Sequence, residues 1–165
     1  MKRRLIACLI PLLFSLPVTA AEEQWQLVGE ARLKVLFWSV YDSSLFSEDG
    51  RYTEGQRPLR LEIKYLRDIE ASDLLENTQS EWEGLPGVPA ASGEWLQDLA
   101  LIWPDVKAND VLAFEVNSEG AGEFFLNGES LGGIDDSEFS GYFLDIWLSP
   151  DTSRPKLRQG LIGGG

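Results

Sequence analysis

The chain has 165 residues, with 14 Lys+Arg against 27 Asp+Glu, no histidine and one cysteine, Cys8. A net charge of −13 is repelled by phosphate backbones, which excludes nucleic acid as the natural partner. Without histidine, and with cysteine confined to position 8, zinc, haem, thiol and histidine-based triad chemistry lose their ordinary ligands and bases, so no cofactor is expected.

Met1-Lys2-Arg3-Arg4, an apolar run over 5–16 and the small residues Val18-Thr19-Ala20 read as a signal peptide cleaved near Ala20. That address is the periplasm or the medium, and residues 21–165 form one domain. Losing Lys2, Arg3 and Arg4 makes the remaining chain more acidic still. No later run is long enough to span a membrane, so stable membrane insertion is not expected.

Trp25, Leu27 and Gly29 alternate with polar residues as a half-buried strand does, with a bulge or turn expected at 28–30. Residues 31–46 are rich in aromatic and β-branched side chains, lack Gly and Pro, and predict one long strand. Leu33, Val35, Phe37, Ser39 and Tyr41 would share one face; Lys34, Leu36, Trp38, Val40 and Asp42 the other. Both faces are apolar in the middle, so both should be covered. Helices can cover one; the other calls for a further protein layer or a bound apolar ligand.

Turn clusters at 47–50 and 55–58 lead to a strand over 59–65 with Arg60, Glu62 and Lys64 on a wet face. Ser72 as N-cap and Asp73 in the first turn open a helix carrying Leu75, Thr78 and Trp82. A second helix from Ser92-Gly93 carries Trp95, Leu96, Leu99, Ile102 and Trp103 and stops at Pro104. Strands at 111–116 and 123–126 follow, and Asn127-Gly128 is a strong hairpin signal before a short strand at 129–131. A third helix starts at Asp135 or Asp136, the acidic cluster explaining its cap. Asp135-Asp136-Ser137-Glu138 lacks the ligand spacing of a calcium loop. Residues 156–162 close the chain as a short helix or edge strand. The order of elements predicts an α+β fold, an antiparallel sheet with about three helices on one face.

Several blocks together resemble the bacterial chalcone isomerase-like family: residues 28–35 (VGEARLKV), 40–42 (VYD), 65–69 (YLRDI), 125–128 (FLNG), 131–134 (LGGI), 143–148 (FLDIWL), and the stretch from Leu157-Arg158 to Ile162-Gly163. The resemblance runs in order through nearly all of residues 21–165. It implies an open-faced β-sandwich, a large antiparallel sheet cradling a cleft beneath helices. Members of that family include plant enzymes that close a flavonoid ring, fatty-acid binders and non-catalytic proteins. The isomerases' arginine falls here at Gln24 or Gln26, their central-strand threonine at Leu36 or Phe37, and Leu74 and Glu81 stand near their helix tyrosine and asparagine. Apolar replacements can neither polarise a carbonyl nor stabilise a phenolate, which argues against that activity. The fatty-acid binders' arginine, in the same region, is also missing.

The expected function is therefore non-catalytic binding of a fatty acid or similar amphiphile in the cleft. An alternative is an envelope protein acting through a protein partner, with the cleft vestigial. A weaker alternative is an isomerase or lyase on another substrate. An anionic amphiphile needs a cation and a hydroxyl at the mouth of the cleft. Tyr41 and Arg67 lead as candidates, with Arg32, Lys34 and Tyr65 behind them and Trp38 and Trp103 as apolar lining. Against these stand structural roles: a salt bridge from Arg67 to Asp68, Asp42 or Asp73, and core packing for Tyr41 and the tryptophans.

Overall fold

The computed structural model describes residues 25–164. The expected leader with its cleavage after Ala20, Cys8 and Gln24 lie outside them. Alternating, β-prone segments form β1 (Gln26–Val35), β2 (Trp38–Ser47), β3 (Leu59–Tyr65), β4 (Val111–Val116), β5 (Gly122–Leu126) and β6 (Glu129–Gly132). Each strand pairs antiparallel with its neighbours in sequence, giving a six-stranded sheet ordered as the chain runs. Helices α1 (Ala71–Gly84) and α2 (Ser92–Ile102) join β3 to β4; α3 (Phe139–Leu148) and α4 (Pro155–Leu161) follow β6. This is the α+β open-faced sandwich expected, with four helices rather than three. The extra one is the closing segment, where Pro155 opens a helical turn with its fixed φ.

One expectation fails in an informative way. Residues 31–46 are not a single strand: the run folds back at Leu36-Phe37, and Val35 pairs with Trp38 across a two-residue loop. Leu36 sits at φ +55°, a region such loops usually give to Gly, Asn or Asp. The apolar middle is therefore a hairpin tip in solvent, covered on neither face, with Leu36, Phe37 and Trp38 exposed. The bulge expected near 28–30 is present as a register shift between Leu27 and Gly29.

Register fixes which side chains meet the helices. Tyr41 stands opposite Tyr65, Ser43 opposite Ile63 and Leu45 opposite Leu61. Ile63, Leu61 and Leu59 then face Leu112, Phe114 and Val116. These rows turn inward, while Arg60, Glu62 and Lys64 occupy the opposite face, where Arg60 bridges Glu62 and Glu115. The end of the sheet nearest β5 packs an aromatic cluster: Phe114 and Phe124 at 4.5 Å between centroids, Phe143 at 4.8 Å from Phe114, and Phe139 stacked on Phe143 at 5.5 Å. Trp82 and Trp95 extend it from α1 and α2.

Two helix starts differ from expectation. Ser72 lies inside α1, and the Ala71 N–H is satisfied by Asp105 Oδ1 at 2.9 Å, a side chain distant in sequence. Leu74 rather than Leu75 is the buried leucine of its first turns. Helix α3 begins only at Phe139, after a turn in which Asp136 accepts the Glu138 N–H and the Trp95 indole N–H, both at 2.9 Å.

Helix α4 seats on β1 through two glycines. A Cβ on Gly29 would overlap the Gly160 carbonyl and stand 2.6 Å from that of Leu161; one on Gly160 would stand 2.7 Å from the Glu30 carbonyl. Backbone cannot yield as a side chain does, so Gly29→Ala should cost about 2–3 kcal/mol. Urea unfolding checks this, and a loss under about 0.5 kcal/mol would mean the two backbones are not so close.

Five aspartates tie loops to the frame and are held below the usual carboxylate range by donors. These are the Arg32 guanidinium for Asp42, the Arg51 N–H for Asp49, the Ala108 N–H for Asp68, the Asn127 amide for Asp110 and the Glu138 N–H for Asp136. Burial pushes Asp145 the other way. A depressed folded-state pKa gives stability that is present above the unfolded value, about 3.9, and lost as pH falls through the folded one. Melting temperature should therefore decline steeply below about pH 4, and less steeply in Asp136→Asn. Thermal scans from neutral pH down to about pH 3 test it, and parallel curves for the two proteins would refute it.

Candidate functional site

Between the sheet and the helices lies a cavity of about 310 Å³. Its walls come from the inward rows just described: Leu61 and Ile63 of β3, Leu112 and Phe114 of β4, Phe143 and Ile146 of α3, and Leu74 of α1. It opens toward the β1–β2 hairpin, where Leu33, Val35 and Val40 contribute to its lining. The aromatic cluster fills the space under β4 and β5; under β2 and β3 smaller side chains leave it open.

The polar atoms of the cavity form a small set. Tyr41 and Tyr65, opposite each other on β2 and β3, stand edge to face with centroids 6.2 Å apart. The Tyr41 hydroxyl accepts the Trp147 indole N–H at 3.1 Å, which leaves its own hydrogen to donate. The Tyr65 hydroxyl bonds to no described residue. Burial raises the pKa of both phenols, for Tyr65 with the further push of Tyr41, so both remain O–H donors at neutral and alkaline pH. Arg67, just past the end of β3, lines the cavity with an exposed side chain and pairs with no described acid. Two of the acids that would have given it a structural role are taken by others, Asp42 by Arg32 and Asp68 by Lys107, and the third, Asp73, makes no described salt bridge.

Of the residues anticipated from sequence, Tyr41, Arg67, Tyr65 and Trp103 come together on this cavity. Arg32, Lys34 and Trp38 do not. Arg32 points to the opposite face and donates to both Asp42 oxygens, from Nε at 2.5 Å and from the guanidinium end at 2.8 Å. Lys34 and Trp38 stand in solvent because the chain reverses between them. Leu36 and Phe37 lie in that reversal, between the strands and not on one, and Gln26 is spent on the Glu48 carbonyl at 2.8 Å.

The sequence reading missed Arg154. It precedes α4, lines the cavity and pairs with Glu81 of α1 at 3.3 Å; their charges act on Tyr41 in opposite senses. It lies just before the segment 156–162 expected to close the chain, and nothing in its local sequence hints at a cavity. Trp103 is buried at the wall, and its indole N–H has no acceptor among the described residues, an arrangement that costs about 1–3 kcal/mol. Among the described residues no cluster of acids could hold a metal ion, and no helix is long and apolar enough to cross a membrane.

The arrangement supplies hydroxyl donors and a free cation at an apolar cleft. Comparisons with known proteins bear on this geometry. The chain is 34% identical over 139 residues to a protein of Haemophilus influenzae described as uncharacterized, an alignment covering 84% of this chain and 68% of the other. Its fold is similar to the crystal structure of a fatty-acid binding protein of Arabidopsis thaliana, with a TM-score of 0.65 and 11% identity, over 91% of this chain and 92% of that one. A family model described as chalcone isomerase-like matches residues 14–163. Sheet, helices and family model cover the same stretch, and the chain belongs to the chalcone isomerase-like family.

Proposed function

We propose that the protein binds a fatty acid or similar single-chain amphiphile in this cavity, without catalysis, in the periplasm after loss of residues 1–20. The observation that carries the reading is the pairing of an apolar cavity of about 310 Å³ with the free donors Tyr41 and Tyr65 and the unpaired Arg67. The fatty-acid binding described for the Arabidopsis protein of similar fold points the same way.

The magnitudes are adequate. A methylene is close in size to a water molecule, about 30 Å³ of liquid, so roughly ten would fill the space. At about 0.8 kcal/mol each they supply some 8 kcal/mol, before the costs of association. The carboxylate would take hydrogen bonds from Tyr41 and Tyr65 and the charge of Arg67, leaving its tail on Leu61, Ile63 and Phe114. Glu81 is neutralised by Arg154, so it does not repel the anion as a bare carboxylate would.

Organic extraction of the protein purified from its own cells should release a stoichiometric acyl species, seen directly by native mass spectrometry. Arg67→Ala and Tyr65→Phe should each weaken uptake of added palmitate, by about tenfold for the charged contact. Leu33→Trp, at the half-buried mouth, should block it. A ligand-free mass together with no uptake would overturn the reading.

Affinity should also stay level between about pH 7 and pH 10, because both phenols are held above their ordinary value of about 10. Titrations across that range would show a fall as pH approaches about 10 if the donors were ordinary exposed tyrosines.

A further inference from the structure

Among the described residues, six large apolar side chains stand exposed, and four of them are consecutive: Val35, Leu36, Phe37 and Trp38. Phe37 is 97% exposed, Leu36 86% and Trp38 70%. Scattered apolar exposure is ordinary on any protein; a run concentrated on one projecting tip is not. The tip is also strained, since Leu36 occupies a left-handed conformation that disfavours side chains beyond Gly, Asn and Asp.

The surroundings of the tip identify an occupant. In a chain of net charge −13, its base carries Arg32, Lys34, Lys64 and Arg67. The acids beside them, Asp42 and Asp68, are already held by Arg32 and Lys107. Lys34 and Arg67 pair with no described acid. The Leu66 N–H donates to the Val40 carbonyl at 2.9 Å, which places Arg67 level with the start of the tip. Exposed Trp and Phe flanked by free cations suit the headgroup zone of a phospholipid bilayer, where indoles sit at the interface and cations reach phosphate. A protein partner would more often bury a patch poor in lysine. Finally, Val35 and Val40 flank the tip and also line the cavity, so the tip and the cleft mouth are continuous.

We infer that the β1–β2 tip is a membrane-docking element: Leu36, Phe37 and Trp38 enter the interface of a phospholipid bilayer, with Lys34 and Arg67 at the phosphates. Docked in this way, the protein exchanges an acyl chain with the bilayer across Val35 and Val40. That exchange rests on the binding reading above; the docking does not. Insertion is shallow and reversible, since the acidic body is repelled by anionic headgroups while the tip is drawn to them.

Flotation with vesicles of phosphatidylethanolamine and phosphatidylglycerol tests the proposal. The wild-type chain is compared with a variant carrying Leu36→Ser, Phe37→Ser and Trp38→Ser. These side chains contact little of the fold, so matching melting curves are expected. The two proteins share the same N-terminus, and any difference therefore reads the tip. The wild-type partition coefficient should exceed that of the variant at least tenfold, and Lys34→Glu should weaken binding on these vesicles more than on phosphatidylcholine alone. Equal flotation of both proteins, or none by either, overturns docking. So does a wild-type dimer that the variant loses in sedimentation while neither floats, because the tip would then be a contact between copies. Palmitate uptake from solution separates the two readings: docking without uptake leaves the tip proposal standing and removes the cavity one. Uptake without docking does the reverse.

Discussion

The pairing of β2 with β3 is the constraint on which the rest of this molecule depends. Strand side chains alternate with a period of two, so a one-residue slip would exchange every inward for every outward residue. With Tyr41 opposite Tyr65, the inward row of β2 runs Tyr41, Ser43, Leu45, and the outward row includes Asp42 and Ser44. Slipped by one, Asp42 and its partner Arg32 on β1 would turn toward the apolar side, a cost of several kcal/mol. The same register gives the cavity its two hydroxyls and sets Arg67 past the strand end, beside its mouth. Fold and candidate site are therefore specified by one set of backbone hydrogen bonds.

The cavity survives because the aromatic side chains are unevenly distributed. Phe114, Phe124, Phe139 and Phe143 interlock with Trp82, Trp95 and Trp103, ring against ring at this end of the sandwich. Under β2 and β3 the inward residues are Ser43, Leu45, Leu61 and Ile63, with no large ring between the tyrosines and the sheet centre. Helices held apart by the aromatic end cannot collapse onto the smaller one. The ion pair between Glu81 and Arg154 then joins α1 to the segment before α4 across the polar end. Rigid packing at one end of the layer thus keeps space open at the other.

Much of this was legible in the sequence where local chemistry is decisive. Asn127 and Gly128 both adopt positive φ, as their residue types invite, and the hairpin stands where they mark it. Pro104 ends α2, and the alternation of residues 59–65 gives β3 its wet and dry faces. The run 31–46 misled for a physical reason: its turn residues, Leu36 and Phe37, carry no turn signal, and Leu36 adopts its conformation against its own preference. That one misreading placed Lys34 and Trp38 in the site, and it assigned double burial to side chains that stand in solvent. Tyr41, Tyr65 and Arg67 were recoverable because antiparallel neighbours bring strand ends together whatever the turn. Arg154 was not, since its approach to the cavity is set by how α4 lies on β1, a long-range contact between glycine backbones that no local pattern encodes.

Charge poses the remaining physical question for the proposed ligand, because an acidic protein is an odd host for an anion. At physiological ionic strength the screening length is about 8 Å, so the distant carboxylates of the wet sheet face and the helix surfaces contribute little at the cavity mouth. What the anion meets is local: Arg67 free, Arg154 cancelled by Glu81, and two phenols that burial keeps protonated. The global charge acts at longer range, where it slows approach and discourages broad adhesion to anionic surfaces. A cationic patch on an acidic body therefore favours one orientation, tip first, over contact by any other face. On the binding and docking proposed, the charge distribution orders the encounter and the apolar cavity supplies the affinity.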